Sequence, residues 1–293
     1  MTDVKTFYNA EQQNSTTQLV LNKGSKMNEV LMRIKNNNRP APPESPYLHL
    51  FLLLKQAANN QFGPAMVEPI DGEIIIKLAE PGKRMRKVVR RSNYRMTGKF
   101  PSFKCGRMMH WESKYELAAF HILETCSLVK SYAEQPALLR YNDKDRVARL
   151  HYPDILVELK NGSSIFIEVK PATASVDLDL AERTDVLERL LKPQGYHYLM
   201  ILPEQLESMS YLENAKHLLY FSKAHMPESI WELVRRIYTK HTSVQLSTLV
   251  LLLEHESARS WIYKMILSGV LACDLSLPLS AQTQVSWSAK GEA

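Results

Sequence analysis

HYPDILVELKNGSSIFIEVKPATAS, residues 151–175, contains two apolar runs on either side of Asn161-Gly162, the pattern of a β-hairpin. Charges interrupt it at one end: Asp154 near the start of the first run, Glu168 and Lys170 at the close of the second. Loop length decides what those charges can do. A two-residue turn at Asn161-Gly162 puts Asp154 and Glu168 on opposite faces and divides the aliphatics between them. A three-residue loop, Lys160-Asn161-Gly162 with Gly162 left-handed, gathers Ile155, Val157, Leu159, Ile165, Ile167 and Val169 on one face. Burial selects the second register, since a slip of one residue turns every side chain over. Asp154 then lies directly across from Glu168. Lys170 points to the same side, with Leu156 and Phe166 beyond.

Opposed carboxylates have Cβ atoms about 5 Å apart and repel each other. A divalent cation between them offsets that repulsion, and Mg²⁺ favours a few carboxylates completed by waters and phosphate oxygens. Lys170 can ease deprotonation of a water or meet charge developing on phosphate. Two acids and a lysine are thus a minimal kit for metal-assisted phosphodiester hydrolysis. The competing reading is a surface hairpin with Glu168 and Lys170 solvated. The opposition of the acids, Pro153 before Asp154 and the apolar strand that ends in Glu-Val-Lys favour a site.

The chain of 293 residues suggests two or three domains, and its 45% hydrophobic and 23% charged content is that of a folded globular protein. Its net charge of +6 is local in origin. Between Pro81 and Trp111 there is no acidic residue and there are ten basic ones: Lys83, Arg84, Arg86, Lys87, Arg90, Arg91, Arg95, Lys99, Lys104 and Arg107. The rest of the chain is net negative. Such a segment is either a solvated arm or a phosphate-binding surface, and the interleaved Tyr94, Phe100 and Phe103, which could stack on bases or sugars, favour nucleic-acid contact. Three scattered cysteines, Cys105, Cys126 and Cys273, suggest neither a disulfide framework nor a zinc site. No apolar run reaches the length of a membrane span, and the polar N-terminus is no secretory signal. These features lead us to expect a soluble cytoplasmic protein with no membrane partner.

Residues 1–26 are polar, and Asn36 to Pro46, with four prolines, reads as a linker. Tyr47 to Asn59 predicts a short helix, Glu73 to Leu78 a strand, Trp111 to Cys126 a helix, and the surroundings of Pro136 a short strand or extended segment. Asp177 to Leu191 predicts an amphipathic helix stopped by Pro193 and Gly195, and Tyr196 to Leu202 a buried strand. Hairpin, crossover helix and strand together imply an α/β fold, a mixed sheet flanked by helices. Beyond Pro203 helices dominate, at Ser208–Phe221, Pro227–Tyr238, Val244–Leu253 and Ser257–Leu267. Two short strands close the chain, in the outline of a winged helix or of a small cap for partner contact. The expected division is an N-terminal extension (1–80), a central domain with a basic arm (81–205) and a winged-helix-like C-terminal domain (206–293).

The combination Pro153-Asp154, then Glu168-Val169-Lys170, resembles the PD-(D/E)XK nuclease superfamily. More closely, the chain resembles the TnsA endonuclease family of Tn-seven-like heteromeric transposases. Ser113-Lys114-Tyr115-Glu116-Leu117-Ala118-Ala119-Phe120 resembles the helix carrying that family's first catalytic acid. Glu134-Gln135-Pro136 with Leu138 and Leu139 resembles its E-Q-x-P-L segment, and Glu168-Val169-Lys170-Pro171-Ala172 its Q/E-V-K-P block. The likeness covers about residues 90–205; for the C-terminal part it is one of outline only. It implies a restriction-endonuclease-like fold with Glu116, Asp154 and Glu168 as metal-binding acids, and catalysis by these three with Lys170. It further implies Mg²⁺, or Mn²⁺ in its place, and double-stranded DNA at transposon ends. A DDE-type transposase subunit would cut the other strand, and an AAA+ regulator ATPase would meet the C-terminal part, on the bacterial nucleoid. Glu116 rests on the resemblance; a capping role and the neighbouring Glu112 compete for it. His110, His121 and His151 are weaker candidates for metal or proton contact, His151 the best placed. The rival functions are a stand-alone PD-(D/E)XK restriction or defence nuclease, and a non-catalytic DNA-binding assembly module.

Overall fold

Ile155–Leu159 and Ser164–Val169 form the hairpin in the register that the aliphatics require, with Ile155 opposite Ile167 and Val157 opposite Ile165. The loop is Lys160-Asn161-Gly162: Leu159 N donates to Ser163 O at 2.9 Å, and Gly162 takes φ +91°. The computed structural model describes residues 49–59, 73–86, 96–173, 177–207 and 210–288. The expected linker at 36–46 and the polar residues 1–26 lie outside them.

In chain order the elements are α1 (Leu50–Ala58), β1 (Ile74–Leu78), β2 (Gly98–Ser102), β3 (Arg107–Trp111), α2 (Lys114–Thr125), β4 (Val129–Glu134), β5 (Ala137–Asn142), β6 (Ala148–His151), β7 (Ile155–Leu159) and β8 (Ser164–Val169). Then follow α3 (Leu178–Leu191), β9 (Tyr196–Ile201), α4 (Pro203–Glu207), α5 (Tyr211–Phe221), α6 (Glu228–Lys240), β10 (Ser243–Gln245), α7 (Leu246–Leu252), α8 (Ala258–Ser268), β11 (Leu271–Ala272) and β12 (Gln284–Trp287). The architecture is mixed α/β.

The central sheet has the order β4-β7-β8-β9, antiparallel except for the parallel β8–β9 pair that α3 connects. One face carries the six aliphatics of the hairpin, packed with Ala119, Phe120, Ile122 and Leu123 of α2. The other face is also covered, so the hairpin buries both sides. Phe166 and Tyr198 pack there against Leu187, Leu190 and Leu191 of α3 and against Ala137, Leu139 and Tyr141 of β5. β5 belongs to a second sheet, β1-β5-β6. Thus β1, in the segment read as an N-terminal extension, is hydrogen-bonded along its length to β5.

The single extended segment expected around Pro136 is two strands, β4 and β5. They meet at Gln135-Pro136, where Gln135 is left-handed (φ +45°). The pair β2–β3 and the edge strand β6 had no alternating pattern to reveal them: Ala148, Arg149 and Leu150 are all exposed. At Gly98 in β2 the Trp111 ring of β3 lies 2.4 Å from where a Cβ would sit, so only glycine fits that crossing.

α4 and α5 continue the same core, because Leu206, Tyr211, Leu212, Ala215 and Leu218 cluster with the α2 residues. α1 is fastened at the same place: Phe51 stacks on Tyr211 with centroids 4.5 Å apart, and His49 Nε2 lies 3.0 Å from Leu206 O. Beyond it, Val234 of α6, Leu249 of α7 and Ile262 of α8 share a buried cluster with Val285 of the three-stranded sheet β10-β12-β11. Among the described residues no helix is long and apolar enough to cross a membrane.

Candidate active site

Asp154 ends the bend between β6 and β7, and Glu168 is the penultimate residue of β8. The hairpin register carries them to the same end of the central sheet. Asp154 Oδ2 accepts the backbone N–H of Val169 at 2.8 Å, which anchors the aspartate to the strand bearing Glu168. Burial and then the charges of Glu168 and Glu116 hold the Asp154 carboxyl well above the ordinary range, against the opposing effect of the Val169 N–H and Lys170. Three acids therefore feel one another here.

Glu168 is only 3% exposed. Its Oε1 is salt-bridged by Lys170 and lies 3.4 Å from Arg183 Nη2. Its Oε2 is 3.3 Å from His151 Nε2, but that nitrogen sits closer, at 2.9 Å, to Tyr198 Oη. Glu168 Oε2 is therefore buried with no hydrogen-bond donor of its own. Burial alone would raise the Glu168 carboxyl; the nearby His151 and Lys170 reverse that and hold it below its usual value.

Glu116 sits in the first turn of α2. Its backbone N–H donates to Ser113 Oγ at 3.1 Å, and its Oε2 accepts the Glu112 N–H at 2.8 Å. These bonds make it a capping glutamate, worth about 1 kcal/mol to the helix. The same carboxyl is held above the ordinary range by burial and by the charges of Glu112 and Glu168. The capping contacts thus fix a third acid beside the pair. Glu112 is engaged elsewhere, accepting the Gln135 side-chain amide. Gln135 also donates its backbone N–H to Asp154 O at 2.7 Å, so this left-handed residue joins the α2 acids to the aspartate loop.

The structure brings together Asp154, Glu168, Lys170, Glu116 and, among the three histidines, His151. His110 and His121 lie elsewhere: His121 Nδ1 is 2.7 Å from Leu117 O on its own helix, and the His110 backbone N–H meets Glu134. Among the described residues no three His, Cys, Asp or Glu side chains close around one point as a preformed metal cage. The donor set nevertheless fits a hard cation. Glu168 Oε2 is a buried oxygen with no hydrogen-bond partner, and Asp154 is buried near the charges of Glu168 and Glu116, which a bound cation would offset.

The basic segment divides. Lys87, Arg90, Arg91 and Arg95 lie outside the described residues. Lys104 turns inward and donates to Cys126 O and Val129 O at 2.6 and 2.9 Å, and burial lowers its pKa. Arg107 grips Glu134, which is 2% exposed, through two bonds of 2.9 and 2.6 Å. Both are therefore occupied in joining β2–β3 to the central sheet. Lys83 pairs with Glu80, leaving Arg84, Arg86 and Lys99 as the described side chains of this set with neither an ion pair nor an inward hydrogen bond.

Arg183 and Tyr198 escaped the sequence reading. Arg183 looked like one of several charges on an amphipathic helix, although its position between Leu180 and Leu187 on the buried stripe was a signal. Tyr198 was absorbed in an apolar strand. Compared with known proteins, the chain matches neither a family model nor a curated protein sequence.

Proposed function

We propose that this chain is a metal-dependent DNA endonuclease of the PD-(D/E)XK kind. We assign it as the subunit of a heteromeric transposase that cuts the non-transferred strand near the 5′ ends of the element, alongside a DDE-type transposase. One observation carries the nuclease reading. Asp154 and Glu168 meet across the hairpin with Lys170 on Glu168 Oε1, while Glu168 Oε2 is buried with His151 Nε2 3.3 Å away. Few carboxylate oxygens in a packed core are left so poorly paired.

Asp154 and Glu168 would hold Mg²⁺, or Mn²⁺ in its place, with Glu116 as third acid. Bound there, the cation would supply an acidified water and neutralise charge on the phosphate. Lys170, as an ammonium beside the acids, would lower the cost of deprotonating the water or meet the phosphate oxygens. Water oxygen bonds to phosphorus as the P–O3′ bond breaks, and the departing 3′ oxygen takes a proton. The mixed sheet with α2 and α3 on its two faces supports a restriction-endonuclease-like fold. The order α6-β10-α7-α8-β11-β12 supports a winged helix, the part that would meet DNA or an AAA+ regulator.

The test is cleavage of transposon-end DNA with and without the co-encoded DDE transposase. Cutting that needs the partner, and is lost in Asp154→Ala and Lys170→Ala with DNA binding retained, supports this reading. Cutting by the chain alone identifies a stand-alone nuclease. Cutting unchanged in both variants overturns the site.

A further inference from the structure

α3 buries Leu180, Leu187, Leu190 and Leu191 against the central sheet, and Arg183 occupies that stripe three residues after Leu180. A guanidinium on a core-facing position is costly unless its donors are used. They are barely used here. Nη2 makes one long contact, 3.4 Å, with Glu168 Oε1, and Nε is buried without a hydrogen-bond partner. That one contact is also redundant, since Lys170 already neutralises the same oxygen. Arg107 shows how this protein builds an arginine whose task is to hold a carboxylate: two parallel bonds to Glu134, both below 3 Å. Arg183 has not been built that way. Its side chain is one-third exposed although Nε is buried, so the outer Nη donors are the ones open to the surface.

The geometry points to Arg183 as a phosphate-binding residue. We propose that its free N–H fork, together with Lys170, forms a subsite for the non-bridging oxygens of a DNA phosphate next to Asp154 and Glu168. This rests on reading that carboxylate pair as the hydrolytic centre. A guanidinium fork matches two phosphate oxygens as a point-like ammonium cannot. The long contact to Glu168 parks the side chain until a phosphate arrives. Arg183 would then help hold the scissile phosphate in line for attack.

The probe is inorganic phosphate, titrated onto the full chain in saturating Mg²⁺ and read as thermal stabilisation. The proteins are the wild type, Arg183→Met, which keeps the apolar stem, and Arg183→Lys, which keeps the charge but not the fork. We expect Mg²⁺ alone to stabilise all three alike. Phosphate affinity should fall at least about ten-fold in Arg183→Met and by a smaller factor in Arg183→Lys. Phosphate affinity in Arg183→Met within two-fold of wild type overturns the assignment while leaving the metal site standing. An Arg183→Met protein that folds but has lost its Mg²⁺ response also overturns it, marking the arginine as a support for Glu168. A wild type that Mg²⁺ does not stabilise overturns the hydrolytic reading and this inference together.

Discussion

Replacing Asp154 by Asn should make the metal-free protein more stable. The side chain keeps its shape, and its carbonyl oxygen can still accept the Val169 N–H, but the charge facing Glu168 and Glu116 is gone. Two unit charges about 5 Å apart at an effective dielectric of about 20 repel by roughly 3 kcal/mol. Lys170 offsets part of this, and partial protonation of Asp154 offsets more, so the net gain at neutral pH is about 1–3 kcal/mol. For a chain of this size that is a rise in Tm of about 2–10 °C. The gain depends on pH with a definite sign. Because the folded-state pKa of Asp154 is raised, the wild type suffers no penalty below the ordinary carboxylate range. The penalty develops as pH rises through the raised value. Thermal unfolding in EDTA at pH 5 and pH 8 should show the variant's advantage smaller at the lower pH and larger at the higher. Adding Mg²⁺ should then stabilise the wild type and leave Asp154→Asn little changed. A variant less stable than wild type at pH 8 in EDTA would refute the reasoning, because it would show the charged aspartate to be favourable in the fold.

Other outcomes follow from the same geometry. Arg107→Ala strands Glu134 in the core and should cost about 2–4 kcal/mol of stability, measured by urea unfolding; a neutral result would return Arg107 to the DNA-contact set. Arg84→Ala should leave the unfolding midpoint within about 0.5 kcal/mol of wild type and lower the salt dependence of DNA binding by about one unit of slope, read by fluorescence anisotropy. Gly162→Ala, at φ +91°, should cost about 1 kcal/mol in Tm-derived stability yet keep cleavage, since the loop lies at the far end of the hairpin from the acids.

The sequence made the centre of the fold legible because one pattern had to satisfy two demands. Six aliphatics at alternate positions, with a glycine that can turn left-handed, admit one register, and that register alone sets Asp154 against Glu168. Tyr47 to Asn59, Trp111 to Cys126 and Asp177 to Leu191 were readable as helices because each combines a periodic apolar face with its own stop or cap: Ser113 and Asp177 both accept a first-turn N–H. The β2–β3 pair was hidden because its strands mix lysine, proline and glycine, and its stability comes from Arg107, Lys104 and Glu124 reaching partners more than twenty residues away. No local pattern encodes such bonds. The same holds at the site: Gln135, Tyr198 and Arg183 join it only through tertiary contact.

The left-handed loop at Gly162 has one more consequence, for the population of molecules rather than the single one. A chain that closed the hairpin one residue out of step would part Asp154 from Glu168 and in the same movement turn its six aliphatics away from α2. Misaligned chemistry therefore coincides with an unburied core. Folding acts as its own proofreader here: molecules with scrambled acids do not persist as stable, faulty copies.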